Sequence, residues 1–283
     1  MSYTLKVKND RGEELNLSQS KNYTVFNITG LNPPQATISS SANITTDGSN
    51  ITAVRLENRN IVIYIAIEGS IETNRINLYK YFPIKKKVTL YFKNDTRDVY
   101  IEGYVEIIEC DLFSNRQVAQ VSLICPSPYF KDIEYLVTYF GDVTALFTFP
   151  FSIAQAGIPI SDLTYNQRKS VINAGDVATG AVIELFAMGE VVNPIIYNVN
   201  TSKYMALNMT LQTSDTVVIN TNVGEKSITL IRNGVSSNAL GYMTPDSDWF
   251  VLEAGDNVFT YECESGESDL QIKFTSAILY GGV

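Results

Sequence analysis

A chain of 283 residues with 45% hydrophobic side chains is long enough for one large or two medium globular units and too apolar for extended disorder. Thirty acidic against 21 basic residues leave a formal charge of -9, which argues against a nucleic-acid groove, because phosphate binding requires clustered Lys and Arg. There is no histidine, so the commonest general base and metal ligand is missing, and Ser-His-Asp and Cys-His catalytic arrangements are excluded outright.

The start, Met1 to Leu17, has no apolar core behind its basic residues and does not read as a secretory signal. No apolar run approaches the roughly 20 residues of a membrane helix, so no membrane partner is expected. Residues 1–130 read as an α+β or nearly all-β unit with one helix. Asp47-Gly48 marks a turn between Ile44 and Ile51. Ile61, Ile63, Ile65 and Ile67 alternate with other residues as in a strand with one buried face. The period then changes: Thr73 is placed to cap a short helix in which Ile76, Tyr79 and Phe82 recur, and Pro83 ends it. Lys85, Lys86 and Lys87 follow as a basic run expected to stay solvated near the helix C-terminus.

Val88, Leu90 and Phe92 predict a strand joined through Asn94-Asp95 to the next, in which Val99, Ile101, Val105 and Ile107 share the core face and Tyr100, Glu102, Tyr104 and Glu106 the other. Ala119, Val121, Leu123 and Cys125 form a third partner, stopped by Pro126 and Pro128. Cys110, Cys125 and Cys263, odd in number and set in strand-like sequence, are expected to be free thiols of a reducing cell. Asn27-Ile28-Thr29 and Asn43-Ile44-Thr45 match the glycosylation triplet but reflect an Asn- and Thr-rich composition, and synthesis is expected in the cytoplasm.

A boundary is placed near residue 130, dividing the chain into 1–130 and 131–283. Beyond it, Tyr135, Val137 and Tyr139, then Phe147, Phe149 and Phe151, give aromatic strands, with an open segment over Gly157 to Lys169. From Asn173 onward short strands follow one another: Met205, Leu207, Met209 and Leu211 face one way, Ile228 and Leu230 follow a turn at Asn222–Glu225, Asn233-Gly234 supplies a reversal, and Leu270, Ile272 and Phe274 alternate near the end. This spacing predicts a two-sheet sandwich or jelly roll.

Catalytic constellations are thin. Glu264-Ser265-Gly266 lacks the flanking glycine of a nucleophile elbow. Asn222 to Ser227 reads as a hairpin turn instead of a phosphate loop, because it sits between strands. Asp246 and Asp248 could offer hard oxygen ligands to Ca²⁺ but lack the rest of a calcium loop. Glu262, Glu264, Glu267 and Asp269 around Gly266 read as an acidic hairpin tip, with nothing to fix two carboxyl groups at glycosidase separation. Trp249, the sole tryptophan, reads either as a sugar-stacking platform or as a half-buried core or interface residue. No catalytic residue, metal site or cofactor is therefore expected; Trp249, Asp246 and Asp248 remain as candidate glycan or partner contacts.

Ordered motifs add a resemblance. Asn60-Ile61-Val62-Ile63, Leu78-Tyr79-Lys80-Tyr81-Phe82-Pro83, Val99 to Glu106 and Cys125-Pro126-Ser127-Pro128-Tyr129-Phe130 are followed by Asn173-Ala174-Gly175-Asp176, Ala181-Val182-Ile183-Glu184, Asn193-Pro194-Ile195-Ile196, Val217 to Thr221, Asp248-Trp249-Phe250-Val251-Leu252, Gly255 to Phe259 and Tyr280-Gly281-Gly282-Val283. Together they resemble the distal tail protein (Dit) family of tailed bacteriophages. The resemblance implies a mainly β chain, with an N-terminal sandwich or barrel-like tail-protein domain bearing one short helix and a C-terminal galectin-like jelly roll.

It also implies a non-enzymatic baseplate hub at the distal end of the virion tail: a hexameric homo-oligomer ring built from N-terminal domains. The ring joins the tail tube protein to the tail-tip protein, docks receptor-binding or other baseplate proteins, and lets DNA pass without specific binding. A carbohydrate-binding module contacting host cell-wall glycan is the competing reading. The galectin sugar site relies on histidine, so galectin-type sugar binding is not expected here.

Overall fold

The computed structural model describes residues 3–43, 47–114, 116–140, 142–145, 161–164 and 168–283. The chain divides into two units, residues 1–133 with 279–283, and residues 134–278. Among the described residues there is one α-helix, and no helix is long and apolar enough to cross a membrane.

Unit 1 is an antiparallel sheet wrapped around one core. Its strands are β1 (Thr4–Lys8), β2 (Glu14–Asn16), β3 (Tyr23–Thr29), β4 (Ala36–Ala42), β5 (Ser49–Leu56), β6 (Arg59–Ile67), β7 (Lys87–Lys93), β8 (Asp98–Cys110), β9 (Val118–Cys125) and the start of β10 (Phe130–Phe140). Pairing runs β3-β6-β9-β8-β7-β1-β2, and β8 also meets Lys131 and Asp132 of β10. The alternation places Ile61, Ile63 and Ile65 of β6, Val88 and Leu90 of β7, Val99 and Ile101 of β8 and Val121 and Leu123 of β9 in a shared interior. Helix α1 (Ile71–Tyr81) adds Leu78 to that interior, and Phe82 follows just past its end.

Three expectations need correction. The helix starts after Ser70, two residues ahead of Thr73, and no side chain caps it. Its buried positions are Asn74 and Leu78, with Phe82 a turn later, because the repeat of 3.6 residues brings i and i+4 onto one face; Ile76, expected on the core side, is exposed. In β8 the core face changes side: the register shifts between Val105 and Ile107, so Ile107 is 42% exposed while Ile108 packs on the core.

Unit 2 is a sandwich of antiparallel sheets. One follows the order β23-β14-β19-β20-β21, formed by β14 (Val182–Ala187), β19 (Thr216–Asn220), β20 (Ser227–Arg232), β21 (Val235–Asn238) and β23 (Leu270–Tyr280). The other follows β13-β22-β16-β17, from β13 (Arg168–Asn173), β16 (Ile195–Asn198), β17 (Lys203–Ala206) and β22 (Gly255–Glu262). Short pairs complete it: β11 (Asp142–Ala145) with β12 (Ser161–Thr164), and β15 (Val191–Val192) with β18 (Thr210–Leu211). Between the sheets Phe259 lies 4.7 Å from Phe274 and 5.3 Å from Phe250, measured between ring centroids. Met205, Leu207, Met209 and Leu211 are all buried, as their alternation predicts. Asn233 and Gly234 both hold positive φ, 52° and 75°, the geometry of a tight turn between β20 and β21.

Two β-strand segments fall in the stretch expected to be open over Gly157 to Lys169, namely β12 and the start of β13. The expected strand of Phe147, Phe149 and Phe151 lies outside the described residues, as does Ile44.

Candidate functional site

The feature of unit 1 that the core does not explain is the hairpin of β4 and β5. Every residue of it except Leu56 is exposed. Ile38 faces Val54 across the pair and Ser40 faces Ile51, because a register shift after Ser39 leaves Thr52 unmatched and turns Ile51 onto the side of Val54. One face of this arm is therefore apolar: Ile38, Ile51 and Val54 are 60%, 65% and 62% exposed. The other is polar, with Thr52 Oγ1 donating to the Ser39 carbonyl at 3.1 Å and Thr37 Oγ1 to Glu57 Oε1 at 3.0 Å. Asp47-Gly48 lies in the connection, where the sequence places a turn. Elsewhere on unit 1, Phe26 is also exposed, its ring 6.0 Å from that of Tyr64.

The arm leaves the sheet through Gly30 to Gln35 and returns at Arg59, the first residue of β6. A cleft of ≈ 390 Å³ opens at this root, lined by Asn32, Pro34, Gln35, Asn58 and Asn60 among others. Arg59 is buried, 3% exposed. Its Nε donates to the Pro128 carbonyl at 2.8 Å, Nη1 to the carbonyls of Asn32 at 2.8 Å and of Gly30, and Nη2 to the Gly281 carbonyl at 2.5 Å. The guanidinium also lies 4.6 Å from the centre of the Phe130 ring. Burial pulls its pKa down, and the fixed fork of donors met by carbonyls compensates for lost water.

In unit 2 the sequence-selected residues lie on the approach to Phe250. Asp246 and Asp248 are exposed, and the Asp248 amide donates to the Tyr204 carbonyl at 2.8 Å. Trp249 is half-buried, packed against the unit 2 core, with Lys226 Nζ 5.5 Å from its ring centre. The acids near Gly266 are engaged locally: Glu262 Oε1 accepts from Tyr197 Oη, and Glu264 Oε2 accepts from Asn193 Nδ2 at 2.6 Å. Among the described residues no group of three or more Cys, Asp or Glu is arranged to hold a metal ion. All three cysteines are free thiols; burial pushes Cys125 up to about 12, and burial with the nearby Glu267 and Glu262 does the same for Cys263. The basic run is partly paired, Lys87 Nζ to Glu102 Oε1 at 2.7 Å and Lys86 Nζ to Asp10 Oδ2 at 3.9 Å.

Sequence reasoning missed the arm and the Arg59 knot. Alternation marks apolar strands without saying which apolar face is covered, and the partners of Arg59 are main-chain carbonyls, which carry no residue signature.

No curated protein sequence matches the chain significantly. The fold matches the crystal structure of Dit of phage SPP1, described as a paradigm of the hub adsorption apparatus in phages infecting Gram-positive bacteria, at 13% identity and a TM-score of 0.68 over 98% of this chain and 99% of that one. The phage P2 baseplate in its activated conformation with Ca is similar at 11% identity and a TM-score of 0.48, over 97% and 98% of the two chains. Residues 10–125 match the phage tail protein RIFT-related domain, and residues 174–277 match the siphovirus-type tail component, C-terminal domain. With both family segments matched in order over most of the chain, the chain belongs to the distal tail protein (Dit) family of siphovirus-type phage tail components.

Proposed function

We propose that this tail protein is a structural baseplate hub in which six copies close a ring through unit 1 at the distal end of the tail. The observation that carries the reading is the arm. An isolated two-stranded hairpin is marginal in water, and this one exposes Ile38, Ile51 and Val54 together. A neighbouring copy laid against that face would bury it, and head-to-tail contacts repeated around an axis close a ring. The ring joins tail tube to tail tip and docks receptor-binding or other baseplate proteins through unit 2. An acidic chain suits a conduit from which DNA is released, because it holds no polyanion. The protein is made in the host cytoplasm, takes no cofactor and performs no chemistry.

The competing reading, a carbohydrate-binding module using Trp249 with Asp246 and Asp248, has less support, because part of the Trp249 ring is occupied by the core and by Lys226. In the hub reading these residues contact a protein partner. Solution mass tests the ring: six chains of 31.4 kDa give a particle of about 188 kDa. A chain that stays monomeric at every concentration, and also with its tail partners present, overturns it.

A further inference from the structure

The root of the arm is tied to a segment 222 positions away in sequence. Residues 279–283 pack within unit 1, beyond the end of unit 2. Besides the bond from Arg59 to the Gly281 carbonyl, the Val283 amide donates to the Leu31 carbonyl at 3.2 Å. Arg97 Nη1 donates to the Gly282 carbonyl, its guanidinium lies 4.2 Å from the centre of the Tyr280 ring, and Tyr280 Oη donates to Asp132 Oδ2 at 3.1 Å. Gly282 sits so close to the root that a Cβ there would lie 2.8 Å from Pro33 Cδ and 2.9 Å from Pro33 N. One buried guanidinium thus joins three strangers: the outgoing root (Gly30, Asn32), the loop before β10 (Pro128) and the C-terminal segment (Gly281). Losing any one of these carbonyls would leave a buried, charged N–H unsatisfied, so each of the three segments is held more firmly while the other two are in place.

We propose that residues 279–283 are a strap that fixes the root of the arm, so that the arm is set for ring closure only while the strap is seated; the second half of this statement rests on the ring reading above. The segment that holds the root is reached only after the whole of unit 2 has been made. Unit 1 would therefore present a fixed arm only once unit 2 has been made.

Hydrogen exchange on the full-length protein tests the strap directly. Gly282→Val keeps every hydrogen-bonding group and crowds Pro33 and the main chain of Asn32; Arg97→Ala is the second variant, needed where the first does not fold. The expected result is exchange faster by on the order of tenfold or more at residues 30–35 and 57–60, with residues 98–105 of β8 as protected as in the parent. Root amides that exchange at the parent rate in a folded variant overturn the strap. Mass measured on the same samples separates the two claims. A parent that never assembles defeats the ring reading and leaves the exchange comparison to decide the strap, whereas a variant with an opened root that assembles like the parent overturns the coupling.

Discussion

The hydroxyl of Tyr23 donates to the main-chain carbonyl of Asn74 at 2.8 Å, fastening β3 to the first turn of α1. From the same residue, Asn74 Nδ2 donates to the Glu68 carbonyl at 2.7 Å, so a buried amide that breaks the apolar face of the helix is satisfied by the loop that leads into it. Burial raises the pKa of Tyr23 and keeps this phenol a donor across the working range. Tyr23→Phe should leave the Asn74 carbonyl with its helical bond alone and cost about 1 kcal/mol in urea denaturation. An unchanged midpoint would show that water replaces the hydroxyl.

Gly103 lies in β8 beside the end of its antiparallel neighbour β9, and a Cβ there would sit 2.8 Å from the Cys125 sulfur. Gly103→Ala should destabilise the protein by about 1–3 kcal/mol through overpacking. Combining it with Cys125→Ala, which removes that sulfur, should recover on the order of 1 kcal/mol relative to the sum of the two single changes. Strict additivity in a double-mutant cycle would locate the strain elsewhere.

Acid should weaken unit 2 through Asp215. This carboxylate is buried, bonded by Arg232 Nε and Nη2 and by the Gln212 amide, and the Arg232 contacts hold its pKa below the ordinary 3.8. Folding therefore favours the ionised form: the stabilisation is complete above the ordinary value and is lost as pH falls below about 4 toward the depressed folded value. Thermal melts recorded between about pH 6 and pH 2 should show a steeper fall for the parent than for Asp215→Asn, which has no such proton to take up. Parallel curves would remove Asp215 from the acid response.

On the arm, Ile38→Asp with Val54→Asp sets two carboxylates opposite each other across an exposed pair and should cost the isolated chain only about 1 kcal/mol, since neither side chain belongs to the core. The same pair should shift the sedimentation profile from ring to monomer. A ring that survives two buried carboxylates would mean that the arm is not at the contact.

Much of the architecture was legible from alternation alone, because a buried face of Ile61, Ile63 and Ile65 or of Val99 and Ile101 leaves a period of two in the chain. Two of the features hidden from it share one cause, a single inserted residue. A register shift in β8 turned Ile107 to solvent, and another in β5 put Ile51 beside Val54; the unmatched residues, Glu106 and Thr52, continue the apolar-polar alternation of their strands and so mark no break in it. The helix face was misread for a related reason, since Ile76 and Tyr79 look more like core than Asn74 does until the carbonyl of Glu68 is placed against that amide. Nothing local to Arg59 could announce that Gly281 is its partner.

The chain passes from unit 1 into unit 2 after Ile133 and returns after Ile278, on β10 and β23, which are neighbours in one sheet. Unit 2 is therefore an interior cassette, entered and left by adjacent strands. Such an insert can be lengthened, shortened or exchanged for another whose ends lie a strand apart, with no new break in the chain of unit 1.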